Sequence, residues 1–240
     1  MNDVINEINY PYMDVLYGGK TYRFIINMYD TPKEILGLID EVFTNREYVD
    51  DKCKIISGYS VLDGGAHIGM FTVFALLNGA KRVIAVEPNP IIFPILKYNI
   101  ERNVGNDNVI FVNKALWSSI KTRPHRLRFL HHKSHSAGSK VTQKKRQTFC
   151  YVNSTTIDAI GSEFGKIDFI KLDVEGSEKE VLAGARETIK NDIPHLSISL
   201  YHKGNDMMEI PNIVKDFNVG YGEVSTSGKR YTIGHWGKPD

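Results

Sequence analysis

From residue 60 onward, short apolar runs of strand length alternate with segments whose apolar residues recur at helical spacing. Ser60–Asp63, Arg82–Glu87, Val109–Val112, Ile167–Leu172 and Leu196–Tyr201 read as strands. Ile68–Leu77, Pro90–Arg102, Thr155–Phe164, Ser177–Ile189 and Asp206–Phe217 read as helices; in the second, Ile91, Ile92, Ile95, Leu96 and Ile100 mark the buried stripe. Such alternation implies an α/β fold, a doubly wound and mostly parallel sheet with helices on both faces. The two ends depart from it. Residues 12–29 alternate around Gly18-Gly19, a turn signal, and a helix follows over about Pro32–Phe43. Val219–Thr226 and Lys229–His235 flank Ser227-Gly228 and read as an antiparallel C-terminal hairpin. With no internal repeat and no separating linker, one domain is expected overall: residues 53–240, with residues 1–52 as a hairpin and helical extension packed on it.

Composition narrows the class. Of 240 residues, 42% are apolar and 24% charged, the balance of a soluble protein with a real core. Apolar runs such as Met70–Leu77 stop far short of the roughly 20 residues a membrane helix needs, and no signal peptide is recognisable. Two scattered cysteines, Cys53 and Cys150, form neither a disulfide framework nor a zinc motif and suit a cytoplasmic protein. The net charge of +2 conceals an asymmetry: residues 108–157 hold ten Lys or Arg and no acid, and the other 190 residues carry a net −8.

The chemistry concentrates at strand ends. In Val61-Leu62-Asp63-Gly64-Gly65-Ala66-His67-Ile68-Gly69 a strand turns through small residues into a helix. Gly65 and Ala66 allow a ligand close to the backbone, and the helix start offers free N–H groups. The middle glycine of the dinucleotide fingerprint is missing, and Asp63 would repel a pyrophosphate. A ligand carrying a sulfonium and an ammonium tolerates it, which favours S-adenosylmethionine over a dinucleotide. Glu87 follows the next strand, 24 residues after Asp63, where an acid accepts hydrogen bonds from ribose hydroxyls; Pro88 is placed to pack on adenine. The plainer readings are a βα turn with glycines for geometry and, for Glu87, an acid facing a helix dipole.

Several stretches resemble FkbM-type methyltransferases. They are Asp63–Gly69, Glu87-Pro88-Asn89-Pro90, Asn99–Asn103, Thr156-Ile157-Asp158, the diagnostic Ile167–Glu178, Val181–Ala185 and Ser199–Lys203. The resemblance runs over about residues 45–215. It implies a Rossmann-like enzyme that uses S-adenosylmethionine, releases S-adenosylhomocysteine, and typically methylates a hydroxyl on a sugar or other natural product. Carried over, Asp63, Gly65, Ala66 and Gly69 form the cofactor loop, with His67 where the family usually has Asn. Glu87 holds the ribose, the Asn113–Leu116 turn (Asn113 and Ala115) lies beside adenine, and Asp173 sits close to the methionine end and the acceptor.

For the acceptor's proton the candidates are Asp173, Glu175 and His202, all at or just past strand ends. An ordinary histidine pKa suits His202 to general-base work, although a loop histidine before a helix is an equal reading. Glu175 and Glu178 also read as first-turn acids of the helix that follows, and Asp173 with Glu175 could hold a divalent cation. The spacing demands no metal, and none is assigned. The basic segment Lys121–Arg146 reads as part of a hairpin whose strands are Leu127–Leu130 and Thr148–Val152. Its tip, with Ser134, Ser136, Gly138 and Ser139, suits a lid. The charge is either a solvated edge or a surface for an anionic acceptor: a phosphorylated sugar, an acidic glycan or RNA. His131, His132 and His135 lack a partner set for metal. A small-molecule or glycan acceptor leads. RNA methylation is second, weakened by the absence of an Asn-Pro-Pro-aromatic motif, and a non-catalytic S-adenosylmethionine-binding protein is third.

Overall fold

A computed structural model describes residues 10–28, 30–118, 126–130, 136–142, 150–217, 222–225 and 232–237. The first described elements are strands β1 (Tyr12–Tyr17) and β2 (Lys20–Ile25), then helix α1 (Pro32–Ile39), which runs into a π-helical turn over Asp40–Thr44. Next come β3 (Ser60–Gly64), α2 (Met70–Leu77), β4 (Arg82–Val86), α3 (Ile92–Val104), β5 (Val109–Val112) and β6 (Ala115–Leu116). The inserted segment holds β7 (Arg126–Leu130), β8 (Lys140–Val141) and β9 (Cys150–Thr155). Then follow α4 (Ile157–Phe164), β10 (Phe169–Leu172), α5 (Glu178–Ala183), α6 (Arg186–Asp192), β11 (His195–Ser199), α7 (Asp206–Lys215), β12 (Gly222–Ser225) and β13 (Ile233–Trp236).

The seven-stranded central sheet has the order β12-β13-β11-β10-β3-β4-β5. Neighbours are parallel from β11 through β5, and β13 runs antiparallel to both β11 and β12. From β3 the chain winds first through β4 to β5, then across to β10 and β11. The crossovers reverse between β3 and β10, and a crevice opens at their carboxyl ends. Alternation along the strands sorts the core onto two faces. Val61, Val83, Ala85 and Phe169 pack with α2, α3 and the N-terminal hairpin and helix, through Phe24, Ile35 and Phe43. Leu62, Ile84, Val86, Ile170, Leu172 and Ile198 pack on the opposite face with α4, α5, α6 and α7. Helices on both faces of a mostly parallel sheet are the architecture that the alternation implies.

Local chemistry sets the boundaries. Thr31 and Glu34 form a reciprocal capping box with Pro32 at the first position of α1. Thr156 caps α4 by accepting from Ala159 N–H at 3.0 Å. The expected helix over 177–189 is broken in two. At Gly184 an added Cβ would lie 2.3 Å from the Trp117 carbonyl, and the Gly184 carbonyl accepts from Asp158 N–H, so the chain bends there. The C-terminal hairpin is present as β12 and β13; its expected turn at Ser227-Gly228 lies outside the described residues. In β13 the His235 ring reaches Asp50 Oδ2 (Nδ1, 2.7 Å) and the Glu47 carbonyl (Nε2, 3.0 Å), tying the segment before β3 to the last strand. Among the described residues no helix is long and apolar enough to cross a membrane.

Candidate active site

The crevice at the ends of β3 and β10 is a cleft of about 1230 Å³ counted out to its open mouth, ample for a nucleoside-sized cofactor with an acceptor group. Its floor is the loop after β3. Gly65 has φ +77°, and a Cβ there would sit 1.9 Å from the Asp173 carbonyl, so only glycine lets the loop cross β10. Gly65 and Ala66 N–H both donate to the Val86 carbonyl at 3.0 Å. Gly69, at φ +94°, admits Leu96 and Ile100 of α3 beneath the start of α2.

Asp63 does not line the cleft. It is fully buried, accepting from Thr72 Oγ1 at 2.7 Å and from Lys171 Nζ at 3.1 Å. Lys171 also donates to the Gly65 carbonyl at 2.9 Å, so the ammonium pins the loop after β3 to β10. Burial works against the Lys171 charge, but the carboxylates of Asp63 and Asp173 outweigh it and hold its pKa above the ordinary lysine value.

Glu87 lies on the cleft wall. Its carboxylate accepts from His67 N–H at 2.9 Å and Asn89 N–H at 2.7 Å, while burial pushes its pKa up to about 7. Asn113 is not on the wall; its amide donates to the Glu87 carbonyl at 2.8 Å and steadies it. Ala66, Pro88, Ala115 and Leu116 supply apolar surface beside Glu87. Overhead, Ser136 of the inserted segment contacts His67 Nε2 at 2.6 Å and gives its own hydroxyl proton to Asp30 Oδ2 at 2.7 Å. Because Ser136 spends its single proton on Asp30, His67 Nε2 must be the donor in that contact.

At the other end Asp173, Glu175 and His202 come together. Asp173 Oδ2 accepts from Tyr48 Oη at 2.6 Å and from Tyr201 Oη at 3.3 Å. Burial would raise its pKa, but Lys171, His202 and the two tyrosine hydroxyls together hold it below the usual carboxylate range. The His202 ring lies 3.3 Å from Asp173 Oδ1, 3.6 Å from Glu175 Oε2 and 2.9 Å from Glu178 Oε1. Its N–H groups are not aligned for hydrogen bonds, so these are charge contacts. Burial alone would favour a neutral ring; Glu175, Glu178 and Asp173 more than offset it and push the pKa to about 11. His202 is therefore an imidazolium near neutrality, which does not suit the proton acceptor expected from an ordinary histidine. Glu175, at φ +56°, is raised by burial above the usual carboxylate value. Glu178 accepts from Val174 and Gly176 N–H and so shapes the loop that carries Glu175. Asp173, Glu178 and His202 offer ligand atoms within 4.8 Å of one another.

Of the sequence-derived candidates, Gly65, Ala66, His67, Glu87, Pro88, Ala115, Asp173, Glu175 and His202 line the cleft, while Asp63, Gly69 and Asn113 support it from behind. Glu41, Tyr48, Lys171 and Tyr201 also line it and were not singled out from sequence. Lys171 sits inside the diagnostic stretch Ile167–Glu178 and Tyr201 inside Ser199–Lys203, a signal that was available. Glu41 and Tyr48 lie in the extension, where no motif marks them.

The profile described as Methyltransferase FkbM domain matches residues 63–221. A solved FkbM methyltransferase from Methylobacillus flagellatus KT is similar at 22% identity and TM-score 0.56, over 75% of this chain and 43% of that one; this chain thus spans less than half of that protein's length. A precorrin-6y C5,15-methyltransferase from Geobacter metallireducens GS-15 is similar at 13% identity and TM-score 0.50, over 90% of this chain and 94% of that one. These two likenesses concern the fold alone. No curated protein matches the sequence.

Proposed function

The chain belongs to the FkbM methyltransferase family, and we propose that it uses S-adenosylmethionine to methylate a hydroxyl oxygen of a sugar, glycan or other natural product. The observation that carries this reading is the pair of carboxylates, Asp173 and Glu175, set beside two phenol hydroxyls at the acceptor end. Such a set can hold and deprotonate an alcohol.

The donor set fits the cofactor. Glu87 would bind the ribose diol, Ala66, Pro88, Ala115 and Leu116 would flank adenine, and the acidic end of the cleft suits a cationic group. When bound, the cofactor supplies a methyl group made electrophilic by its sulfonium. Asp173 and Glu175 orient the acceptor hydroxyl and take its proton as the oxygen–carbon bond forms. The raised Glu175 carboxyl is the stronger base of the two, and His202 keeps both carboxylates from repelling each other. Residues 136–141 overhang the cleft and would limit water.

RNA as acceptor is a second reading, favoured by Lys140 on the cleft wall and Arg126 on the adjoining strand. Steep loss of binding with salt would support it. Both cysteines are free thiols, in keeping with the cytoplasmic location we propose. The test is transfer of labelled methyl to a panel of hydroxylated acceptors and to RNA, with native protein, D173N and E175Q. Label on a hydroxyl, lost in both variants, supports the proposal; label on a base nitrogen, or transfer unchanged in both variants, overturns it.

A further inference from the structure

Tyr48 sits between two carboxyl groups. Its Oη lies 2.6 Å from Asp173 Oδ2 and is in close contact with Glu41 Oε1 as well. A phenol has one proton and can donate to only one of them. If both neighbours were carboxylates, one would face the phenol oxygen lone pair to lone pair in a buried site. The conflict disappears when one carboxyl carries a proton and donates to Oη.

The surroundings decide which one. Asp173 faces Lys171, the His202 ring and the Tyr201 hydroxyl, all of which favour the ionised form. Glu41, in the π-helical turn, is faced by the carboxylates of Asp173 and Glu47, by Tyr48, and by Lys171. Burial is the largest influence on Glu41, and its pKa is pushed up to about 8. Tyr48 itself faces Asp173, Glu41 and Tyr201, and burial holds its phenol protonated.

We propose that Glu41 and Tyr48 form a proton-holding relay behind Asp173, with the Glu41 carboxyl donating to Tyr48 Oη and Tyr48 donating to Asp173 Oδ2. The relay fixes Asp173 as an ionised, oriented carboxylate facing the acceptor. Glu41 and Tyr48 act through Asp173 and are positioning residues. They precede residue 63, where the family match begins, so this chain's extension completes its own site. The inference rests on the reading of Asp173 as the group that meets the acceptor. Once Glu41 ionises, it competes for the Tyr48 proton and Asp173 loses its committed donor.

The test is a pH titration by infrared difference spectroscopy on the full chain, for native protein, E41Q and Y48F, beside calorimetric titration with S-adenosylmethionine. Both substitutions keep side-chain volume, and in E41Q the amide still donates to Tyr48 Oη. The native-minus-E41Q difference should show a protonated carboxyl at neutral pH that fades through about pH 8. With a hydroxyl acceptor, Y48F should lose about tenfold or more in kcat with little change in KM for S-adenosylmethionine. E41Q, whose amide still donates to Tyr48 Oη at every pH, should lose less of kcat than Y48F and should lose the alkaline decline. Absence of that carboxyl signal while the native protein binds S-adenosylmethionine overturns the relay alone. Equal damage in E41Q and Y48F, or an unchanged pH profile in E41Q, overturns it too. Failure of the native protein to bind S-adenosylmethionine instead strikes the functional reading beneath it.

Discussion

Replacing Lys171 by Met removes one ammonium while keeping most of the stem's volume. The side chain is 5% exposed and its partner Asp63 is 0% exposed, so water screens neither. At their separation of 3.1 Å, an effective dielectric constant of about 20 puts the attraction near 5 kcal/mol. Without Lys171, Asp63 keeps only the Thr72 hydroxyl among the described residues, and breaking a buried pair in this way costs about 3–5 kcal/mol. Urea unfolding followed by circular dichroism reads the loss. With a slope of about 3 kcal/mol/M for a chain of this size, a loss of about 4 kcal/mol lowers the midpoint by about 1.3 M. The double variant D63N/K171M has no orphan charge and should recover more than half of the loss. A K171M midpoint within about 0.3 M of native, or a double variant no more stable than K171M, would refute this account of the buried pair.

Three further outcomes are expected. Only an ionised Glu87 can accept from a ribose diol while keeping both backbone N–H donors; with its pKa about 7, S-adenosylmethionine affinity should fall about tenfold from pH 8 to pH 6 by calorimetry. E87Q should bind weakly with a flat profile, and a flat native profile would contradict this role. His202, raised to about 11, should show imidazolium nitrogen shifts at pH 8, and its stabilising contribution should be complete below about pH 6.5, fall progressively above it and be gone once pH passes about 11. A neutral ring at pH 8 would exclude the charge cluster. G65A should abolish cofactor binding because its Cβ meets the Asp173 carbonyl, whereas G105A, at φ +73° and ψ 169° with open space around its Cβ, should cost about 1–3 kcal/mol of backbone strain and leave binding intact. Equal binding by the two variants would remove the steric argument for Gly65.

The parts of the site that were legible in sequence are local. The Asp63–Gly69 loop and Glu87 each declare themselves within a few residues of a strand end, and Asp173 and Glu175 sit in a contiguous diagnostic stretch. What was not legible depends on distance along the chain. Lys171 looks like an ill-placed charge in Ile170-Lys171-Leu172 until β10 is laid beside β3, where it meets Asp63. Tyr48 and Glu41 reach Asp173 through an extension with no motif. The pKa of His202 depends on three carboxylates that periodicity cannot place around one ring. The break at Gly184 was missed because its cause is the Trp117 carbonyl, far from the helical pattern itself.

The grip of His235 on Asp50 and on the Glu47 carbonyl has a consequence in time. Tyr48 is one residue from that grip, and the contacts join residues 185 and 188 positions apart. Pairings so distant in sequence form late, after the local βα units have closed. The wall built by β3 and β4, neighbours in sequence, can therefore take shape early, but Tyr48 finds its place beside Asp173 only when the final strand docks. A folding intermediate with a finished nucleotide wall would still lack a properly held carboxylate, so cofactor affinity should return before turnover during refolding.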